Sequence, residues 1–175
     1  MDQSVRLVVL RHAKAAWPDV PDEDRPLAPR GEADAPAAGR WLREHGVLPD
    51  LVVCSPARRT RQTWDLAQPE LGADPRVVLD PRAYGADAED LLGVLRELPA
   101  GTRTALLVGH RPEVRDLVLL LADERESEPL ARVREKYPTS GIAVLRVPTG
   151  WAALAPATAE LTAFAVPRGT AAGGD

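Results

Sequence analysis

The sequence is poor in the residues that build disulfide frameworks and metal clusters. Cys54 is the only cysteine among 175 residues, and there are three histidines. One cysteine cannot form an intrachain disulfide or a multi-cysteine zinc site, and three scattered histidines argue against a histidine-rich metal cluster. A chain of this length can bury a full hydrophobic core, so we expect a fold held by packing without disulfides or metal staples.

Long apolar runs are also missing. No stretch reaches the roughly 18 to 20 uncharged apolar residues that a bilayer span requires. The first ten residues include Asp2 and only a short apolar run, which does not match a signal peptide. The net charge of −4 provides no overall attraction for nucleic acid. We therefore expect a cytoplasmic protein with no membrane or nucleic-acid partner.

The composition is typical of one globular domain. Hydrophobic residues make up 45% of the chain and charged residues 27%, which argues against wholesale disorder. We expect one domain over residues 1–168 and a disordered tail over residues 169–175, which are small, polar and rich in glycine. The segment 19–29 is rich in proline and acidic residues and is expected to form a long loop near the functional site.

Short runs of branched apolar residues alternate with amphipathic helical patterns. The predicted strands of the first two thirds are Val5–Leu10, Leu51–Cys54, Arg76–Leu79 and Thr104–Gly109. The predicted helices are Glu32–His45, with Pro36 in its first turns, Ala57–Ala67, Ala88–Leu98 and Pro112–Ala122. Two later strands, Ile142–Val147 and Glu160–Val166, are separated by turn residues. This order predicts a three-layer α/β/α sandwich with a mostly parallel sheet and an antiparallel edge.

Three polar motifs follow predicted strands directly. They are Arg11-His12-Ala13-Lys14, Ser55-Pro56-Ala57-Arg58-Arg59-Thr60 and Gly109-His110-Arg111-Pro112. Ligands of open parallel sheets bind beyond the carboxyl ends of the strands, so two imidazoles and several guanidinium groups are expected to meet there. A cationic pocket on an acidic chain favours an anionic ligand, and the fork of arginine suits phosphate. The third histidine, His45, ends a predicted helix, where we expect a structural role.

These motifs resemble those of the histidine phosphatase superfamily, the phosphoglycerate-mutase-like enzymes. The similarity rests on Arg11-His12, on the segment from Ser55 to Thr63 and on Gly109-His110, and it extends over about Val5 to Arg168. The small size of the chain, the Asp24-Arg25-Pro26-Leu27 segment and Tyr137-Pro138-Thr139-Ser140-Gly141 are similar to the SixA-type phosphohistidine phosphatases in particular. The resemblance implies a hydrolase that acts on a phosphorylated protein or on a small phosphorylated metabolite.

The resemblance also implies roles for individual residues. It makes His12 the nucleophile that becomes phosphorylated, and it makes Arg11, Arg59 and His110 the phosphate pocket. The family motif places its arginine four residues after the serine, which selects Arg59 over Arg58. A neutral imidazole is a usable nucleophile near neutral pH, and nearby arginines are expected to lower the pKa of His12 and keep it neutral. Because arginines supply the positive charge, no metal and no other cofactor is expected.

The proton donor for the leaving group is less clearly marked. One branch of the family has an aspartate directly after the second histidine, whereas this chain has Arg111 there. Other members use a glutamate after the third strand, where Asp87 and Glu89 are the candidates, with Tyr84 nearby. Both acids also fit the acidic first turn of a helix. A weak or missing acid would favour a phosphoramidate such as phosphohistidine, because its nitrogen leaving group departs more easily than an alkoxide. The loop offers further acids, which are also explained as a charged surface: Asp19, Asp22, Glu23 and Asp24.

Several alternative functions fit the sequence less well. A cysteine phosphatase needs an arginine six residues after its thiolate, and counting from Cys54 both Arg59 and Arg61 miss that position by one. The glycine-rich loops of P-loop and dinucleotide-binding proteins do not occur. A phosphoglycerate-mutase-type phosphotransferase is disfavoured by the short segment after the third strand. A phosphate-binding module without turnover is also possible, although binding alone does not require a nucleophile.

Overall fold

The computed structural model describes residues 3–170, which fold around one six-stranded sheet. The strands are β1 (Val5–Arg11), β2 (Leu51–Cys54), β3 (Arg76–Leu79), β4 (Thr104–Gly109), β5 (Ile142–Val147) and β6 (Glu160–Ala165). Their order across the sheet is β3-β2-β4-β1-β5-β6. The first four are mutually parallel, and β5 and β6 add an antiparallel edge next to β1. The predicted sheet is therefore confirmed.

Five helices cover the two faces of this sheet. They are α1 (Pro29–Glu44), α2 (Arg58–Leu71), α3 (Ala88–Arg96), α4 (Glu113–Leu121) and α5 (Glu128–Glu135). Alternating side chains of each buried strand point to opposite faces. In β1, Val8 and Leu10 pack with α1 and α2, whereas Leu7 and Val9 pack with the other three helices. The result is the predicted three-layer α/β/α sandwich.

Several helical regions differ from the sequence prediction, and α2 continues four residues past the predicted Ala67, to Leu71. Helix α1 begins at Pro29, three residues earlier than predicted, because proline is accepted in the first turn of a helix. Pro36 consequently lies in the helix interior, not in its first turns. Helix α5 was not predicted, since its sequence is highly charged. It is capped by Ser127, whose side chain accepts a hydrogen bond from Leu130 N–H.

The edge strand β3 is mostly exposed, in contrast to the central strands. All residues of β1 except Arg6 and Arg11 are buried, as are all residues of β2 and β4. Three of the four β3 residues are exposed. This difference agrees with the weaker apolar signal of Arg76–Leu79, because an edge strand is covered on fewer sides.

The C-terminal segment is attached to α1. The buried carboxylate of Asp34 accepts hydrogen bonds from the Arg168 side chain and from Gly169 N–H. Arg30 of the same helix donates to the Gly169 carbonyl at 2.7 Å. Most of the tail predicted to be disordered, residues 171–175, lies outside the described residues.

The register of the parallel strands brings the three polar motifs to one edge. Arg11 of β1 lies opposite Gly109 of β4, and Cys54 of β2 lies opposite Val108. The residues that follow these strands therefore leave the sheet at nearly the same level. The candidate functional site therefore lies at the carboxyl ends of β1, β2 and β4.

Candidate active site

Two imidazoles lie side by side beyond the sheet edge. The backbone N–H of His12 donates to the Gly109 carbonyl at 3.0 Å, which continues the β1–β4 ladder by one residue. The ring centroids of His12 and His110 are 5.4 Å apart, and each residue is only 8% exposed. The structure thus brings together two histidines that are far apart in the sequence.

A backbone carbonyl determines which nitrogen of His12 is reactive. Nδ1 of His12 lies 2.6 Å from the Ala13 carbonyl oxygen, so Nδ1 carries the proton and donates it. The lone pair is then on Nε2, where it can attack an electrophile. Burial lowers the pKa of His12 to about 3, and the positive charges of Arg11 and Arg59 act in the same direction. The nucleophilic, neutral form of the ring is therefore the form present at neutral pH.

Ser55 orients the second imidazole. Its Oγ lies 2.8 Å from Nε2 of His110 and also accepts a hydrogen bond from Ala57 N–H. The serine can donate its proton to Nε2 of His110, and in that tautomer the imidazole proton is on Nδ1. Burial, and then Arg59, lower the pKa of His110 to about 4. Neutral His110 thus presents an Nδ1–H donor, and that atom is buried with no partner among the described residues.

Two arginines are anchored by their terminal nitrogens. Nη1 of Arg11 donates to the Tyr137 carbonyl at 2.9 Å. Nη1 of Arg59 donates to the Asp22 carbonyl at 2.7 Å, and Nη2 to the Asp22 carboxylate at 3.0 Å. In both arginines Nε is buried and has no hydrogen-bond partner within the described part of the chain.

The site therefore contains three buried N–H donors without acceptors, from three segments of the chain. They are Nε of Arg11, Nε of Arg59 and Nδ1 of His110. A buried donor without an acceptor costs about 1 to 3 kcal/mol. Both arginines are close enough to lower the pKa of both histidines. Such a group of donors can bind a tetrahedral oxyanion and stabilise the charge that develops on its oxygens during transfer.

The two acids suggested from the sequence do not contact the four predicted site residues within the described part of the chain. Asp87 is the N-cap of α3, where its carboxylate accepts from Asp90 N–H at 2.8 Å and completes a capping box. Glu89 is exposed in the first turn of the same helix and lines a groove of about 530 Å³ that also includes Tyr84. Within residues 3–170, neither carboxylate is hydrogen-bonded or ion-paired to the four predicted site residues. A general-acid role for either stays a prediction.

Two residues that the sequence did not single out contact the site instead. Asp22 pairs with Arg59, and the Tyr84 hydroxyl donates to the Asp22 carboxylate at 2.6 Å. The Tyr84 ring lies edge-on to His110, with centroids 5.5 Å apart. Asp22 was one of four acids in the loop, and no local pattern distinguished it, because Arg59 and Tyr84 are 37 and 62 residues away.

Cys54 and His45 lie outside this constellation. Cys54 is buried among the residues between the sheet and helices α1 and α2, and its burial raises the thiol pKa to about 12. A thiol that stays protonated is a poor nucleophile, which argues against the cysteine mechanism. His45 caps the end of α1, stacks on Trp41 at 4.1 Å and hydrogen-bonds through Nδ1 to the Trp41 carbonyl oxygen.

No group of three or more histidine, cysteine, aspartate or glutamate side chains arranged to hold a metal ion occurs among residues 3–170. Over the same residues, no helix is both long enough and apolar enough to cross a membrane.

The fold and the site together define an α/β protein with a buried histidine pair and two buried arginine Nε groups at one edge of its sheet. The family model of the histidine phosphatase superfamily (branch 1) matches residues 7–112. An uncharacterized protein of Mycobacterium tuberculosis strain H37Rv is 43% identical over 162 residues, which cover 91% of this chain and 100% of that protein. The chain belongs to the histidine phosphatase superfamily, as its motifs indicated, and that membership supports phosphatase or phosphotransferase activity.

Solved structures place the chain near the SixA-like members. A protein described as a candidate phosphohistidine phosphatase SixA from Nakamurella multipartitia superposes with a TM-score of 0.84 and is 35% identical, covering 94% of this chain and 96% of that one. A similarly described protein from Agrobacterium tumefaciens has a TM-score of 0.77 and 30% identity over 93% of this chain and 99% of its own. The chain is thus SixA-like in fold and sequence.

Proposed function

We propose that the protein is a phosphatase that works through a phosphohistidine intermediate on His12. Nε2 of His12 attacks phosphorus, the N–P bond forms, and the bond to the leaving group breaks. Water then attacks the phosphohistidine, inorganic phosphate departs, and the neutral imidazole is restored. Arg11, Arg59 and His110 hold the phosphoryl oxygens during both steps, and loss of one such donor typically costs about 10²- to 10³-fold in turnover.

One observation carries this proposal. Three buried N–H donors have no acceptor among residues 3–170, and they lie beside a neutral imidazole whose Nε2 lone pair is available. A structural role would require these donors to be paired within the protein, because unpaired buried donors are costly. A purely phosphate-binding module would need the donors but would not need a nucleophile held in one tautomer. The combination therefore favours catalysis over binding alone.

The substrate class that we propose first is a phosphoramidate, namely phosphohistidine on a protein. Small phosphomonoesters are the alternative. An alkoxide leaving group needs a proton donor, and Asp87 is committed to capping α3. The Asp22 carboxylate is held ionised, because hydrogen bonds from Tyr84 and Arg59 hold its pKa far below the usual range. Imidazole leaves phosphorus more easily than an alkoxide, so its departure depends less on an acid. The described identity of the Nakamurella relative agrees with this choice.

The test compares p-nitrophenyl phosphate with a phosphohistidine peptide as substrates. We expect the wild-type protein to hydrolyse both, with the higher kcat/KM on the phosphohistidine peptide. His12→Asn keeps an N–H donor for the Ala13 carbonyl but removes the nucleophile, and its activity is expected to be lost. His45→Asn is the matched control, because it removes an exposed histidine outside the site.

The intermediate can be detected directly. Rapid denaturation during turnover should trap acid-labile phosphate on the wild-type chain and none on His12→Asn. Phosphate binding without turnover would refute the phosphatase proposal in favour of a binding module. Transfer from 2,3-bisphosphoglycerate to a monophosphate at a rate above hydrolysis would identify a mutase.

A further inference from the structure

Asp22 connects three side chains around the entrance of the site. Its carboxylate oxygen Oδ2 accepts from Nη2 of Arg59 at 3.0 Å and from the Tyr84 hydroxyl at 2.6 Å. Its other oxygen, Oδ1, accepts from Nη1 of Arg25 at 3.2 Å. The Asp22 backbone carbonyl accepts from Nη1 of Arg59 at 2.7 Å. One loop residue thus joins helix α2, the segment after β3 and its own loop.

Asp22 binds one edge of the Arg59 guanidinium, and this determines which N–H groups of Arg59 remain to bind a ligand. A guanidinium has an end formed by the two Nη groups and a side formed by Nε and one Nη. Asp22 occupies the end with its carbonyl and its carboxylate, and Nε of Arg59 stays buried without a partner. The side is therefore left for a second oxyanion, since each Nη still has one hydrogen to donate.

We propose that Asp22 is a positioning residue. It holds the two Nη groups of Arg59, so that the Nε side of the guanidinium faces the phosphoryl group. It also holds Tyr84 beside His110. This inference rests on the proposed function, because it assigns the phosphoryl group to Arg59. Asp22 contacts Arg59, Tyr84 and Arg25, and it acts on the reaction only through Arg59 and Tyr84.

The alternative is that the Asp22 carboxylate occupies the place of phosphate and must leave before substrate binds. The contacts argue against it. Arg59 donates to the backbone carbonyl of Asp22 as well as to its carboxylate. Rotation of the Asp22 side chain alone would therefore not free the Nη groups of Arg59. Buried Arg25 also fastens the loop, donating to the Ala16 carbonyl at 3.0 Å and to Asp22. A competing group would be expected to rest on Nε, the donor that is left unpaired.

The test compares Asp22→Asn with Asp19→Asn. Both variants remove one negative charge from the same loop, but Asp19 makes no side-chain hydrogen bond or ion pair within residues 3–170. The first measurement is the affinity for inorganic phosphate, determined by titration calorimetry. The second is kcat/KM for p-nitrophenyl phosphate. A hydrogen bond to a charged group corresponds to a factor of about 10 to 100, so we expect Asp22→Asn to lose that much in both. Asp19→Asn should stay within about twofold of wild type, as surface changes usually do.

A spectroscopic signature separates positioning from a general structural role. Asp22 raises the pKa of the Tyr84 phenol by accepting its hydrogen bond. Tyr137, the only other tyrosine, is buried, and its phenol pKa is raised as well. Asp22→Asn should therefore shift the phenolate absorbance transition to lower pH, and Asp19→Asn should leave it in place.

The outcomes distinguish this inference from the proposed function. Phosphate affinity and phenol titration that are the same in the two variants would overturn the positioning role, whatever the wild-type activity. Tighter phosphate binding by Asp22→Asn would overturn it in favour of competition. If the wild-type protein bound phosphate without hydrolysing any substrate, and Asp22→Asn bound it more weakly, the proposed function would fail while the positioning role stood.

Discussion

Because His12 is buried in its neutral form, the protein should become less stable as the pH falls below the pKa that this histidine has in the unfolded chain. The pKa of His12 is about 3 in the folded protein, against about 6.5 in an unfolded chain. Between these values the unfolded state binds a proton that the native state does not, so protons favour unfolding. The loss begins as the pH falls through about 6.5 and grows until the pH reaches the folded-state pKa.

The size of this loss follows from the two pKa values. At pH 5 the solution is about 1.5 units below the unfolded pKa, and each unit corresponds to about 1.4 kcal/mol, so His12 alone should cost about 2 kcal/mol. The same loss holds for any folded-state pKa at or below about 4, because the native imidazole is then neutral at pH 5. It is a large part of the roughly 5 to 15 kcal/mol that stabilises a typical domain. His110, with a pKa of about 4, acts in the same direction.

Urea unfolding at pH 7 and at pH 5 measures this loss in the free energy of unfolding. Tryptophan fluorescence can report the transition, because Trp64 and Trp151 are buried. Phosphate and sulfate must be left out of the buffers, since an anion bound to the native site would stabilise it. His12→Asn should lose about 2 kcal/mol less than wild type between the two pH values. His45→Asn is again the matched control.

The comparison between variants makes the prediction refutable. Other groups titrate in this range, but their contribution is common to all three proteins. An identical pH dependence in wild type, His12→Asn and His45→Asn would show that the folded pKa of His12 is not lowered. The neutral nucleophile, and the mechanism that depends on it, would then be wrong.

Three further substitutions probe the surroundings of the site. Ser55→Ala removes the hydroxyl bonded to His110, and kcat/KM for p-nitrophenyl phosphate should fall about tenfold to hundredfold, with a lower Tm because His110 Nε2 and Ala57 N–H lose their buried partner. Asp87→Ala should destabilise the protein by about 1 kcal/mol in urea unfolding, through loss of the α3 cap, and leave kcat unchanged; a large fall in kcat would instead support the general-acid role. Cys54→Ser should retain nearly full turnover, because the buried thiol stays protonated, and near-complete inactivation would revive a cysteine mechanism.

The sheet and the place of the site were predictable because they depend on local patterns. Runs such as Leu51–Cys54 are short, branched and bounded by turn residues, which is the pattern of a buried parallel strand. Once the strands are parallel, the motifs that follow them must meet at one sheet edge. Helix α5 escaped prediction because only Leu130 and Val133 of its eight residues are buried, which leaves little apolar periodicity in a charged segment.

What the sequence determined by itself is the chemistry that could occur: two imidazoles and an arginine motif at strand ends, in the order typical of one superfamily. Only the tertiary structure decided how these groups are used. The proton of His12 is placed by the Ala13 carbonyl, and that of His110 by Ser55, 55 residues away. Asp22 differs from the other three loop acids because the fold brings Arg59 and Tyr84 into contact with its carboxylate. Such choices depend on angles and distances of a few tenths of an ångström, which arise from packing between distant segments and leave no local pattern.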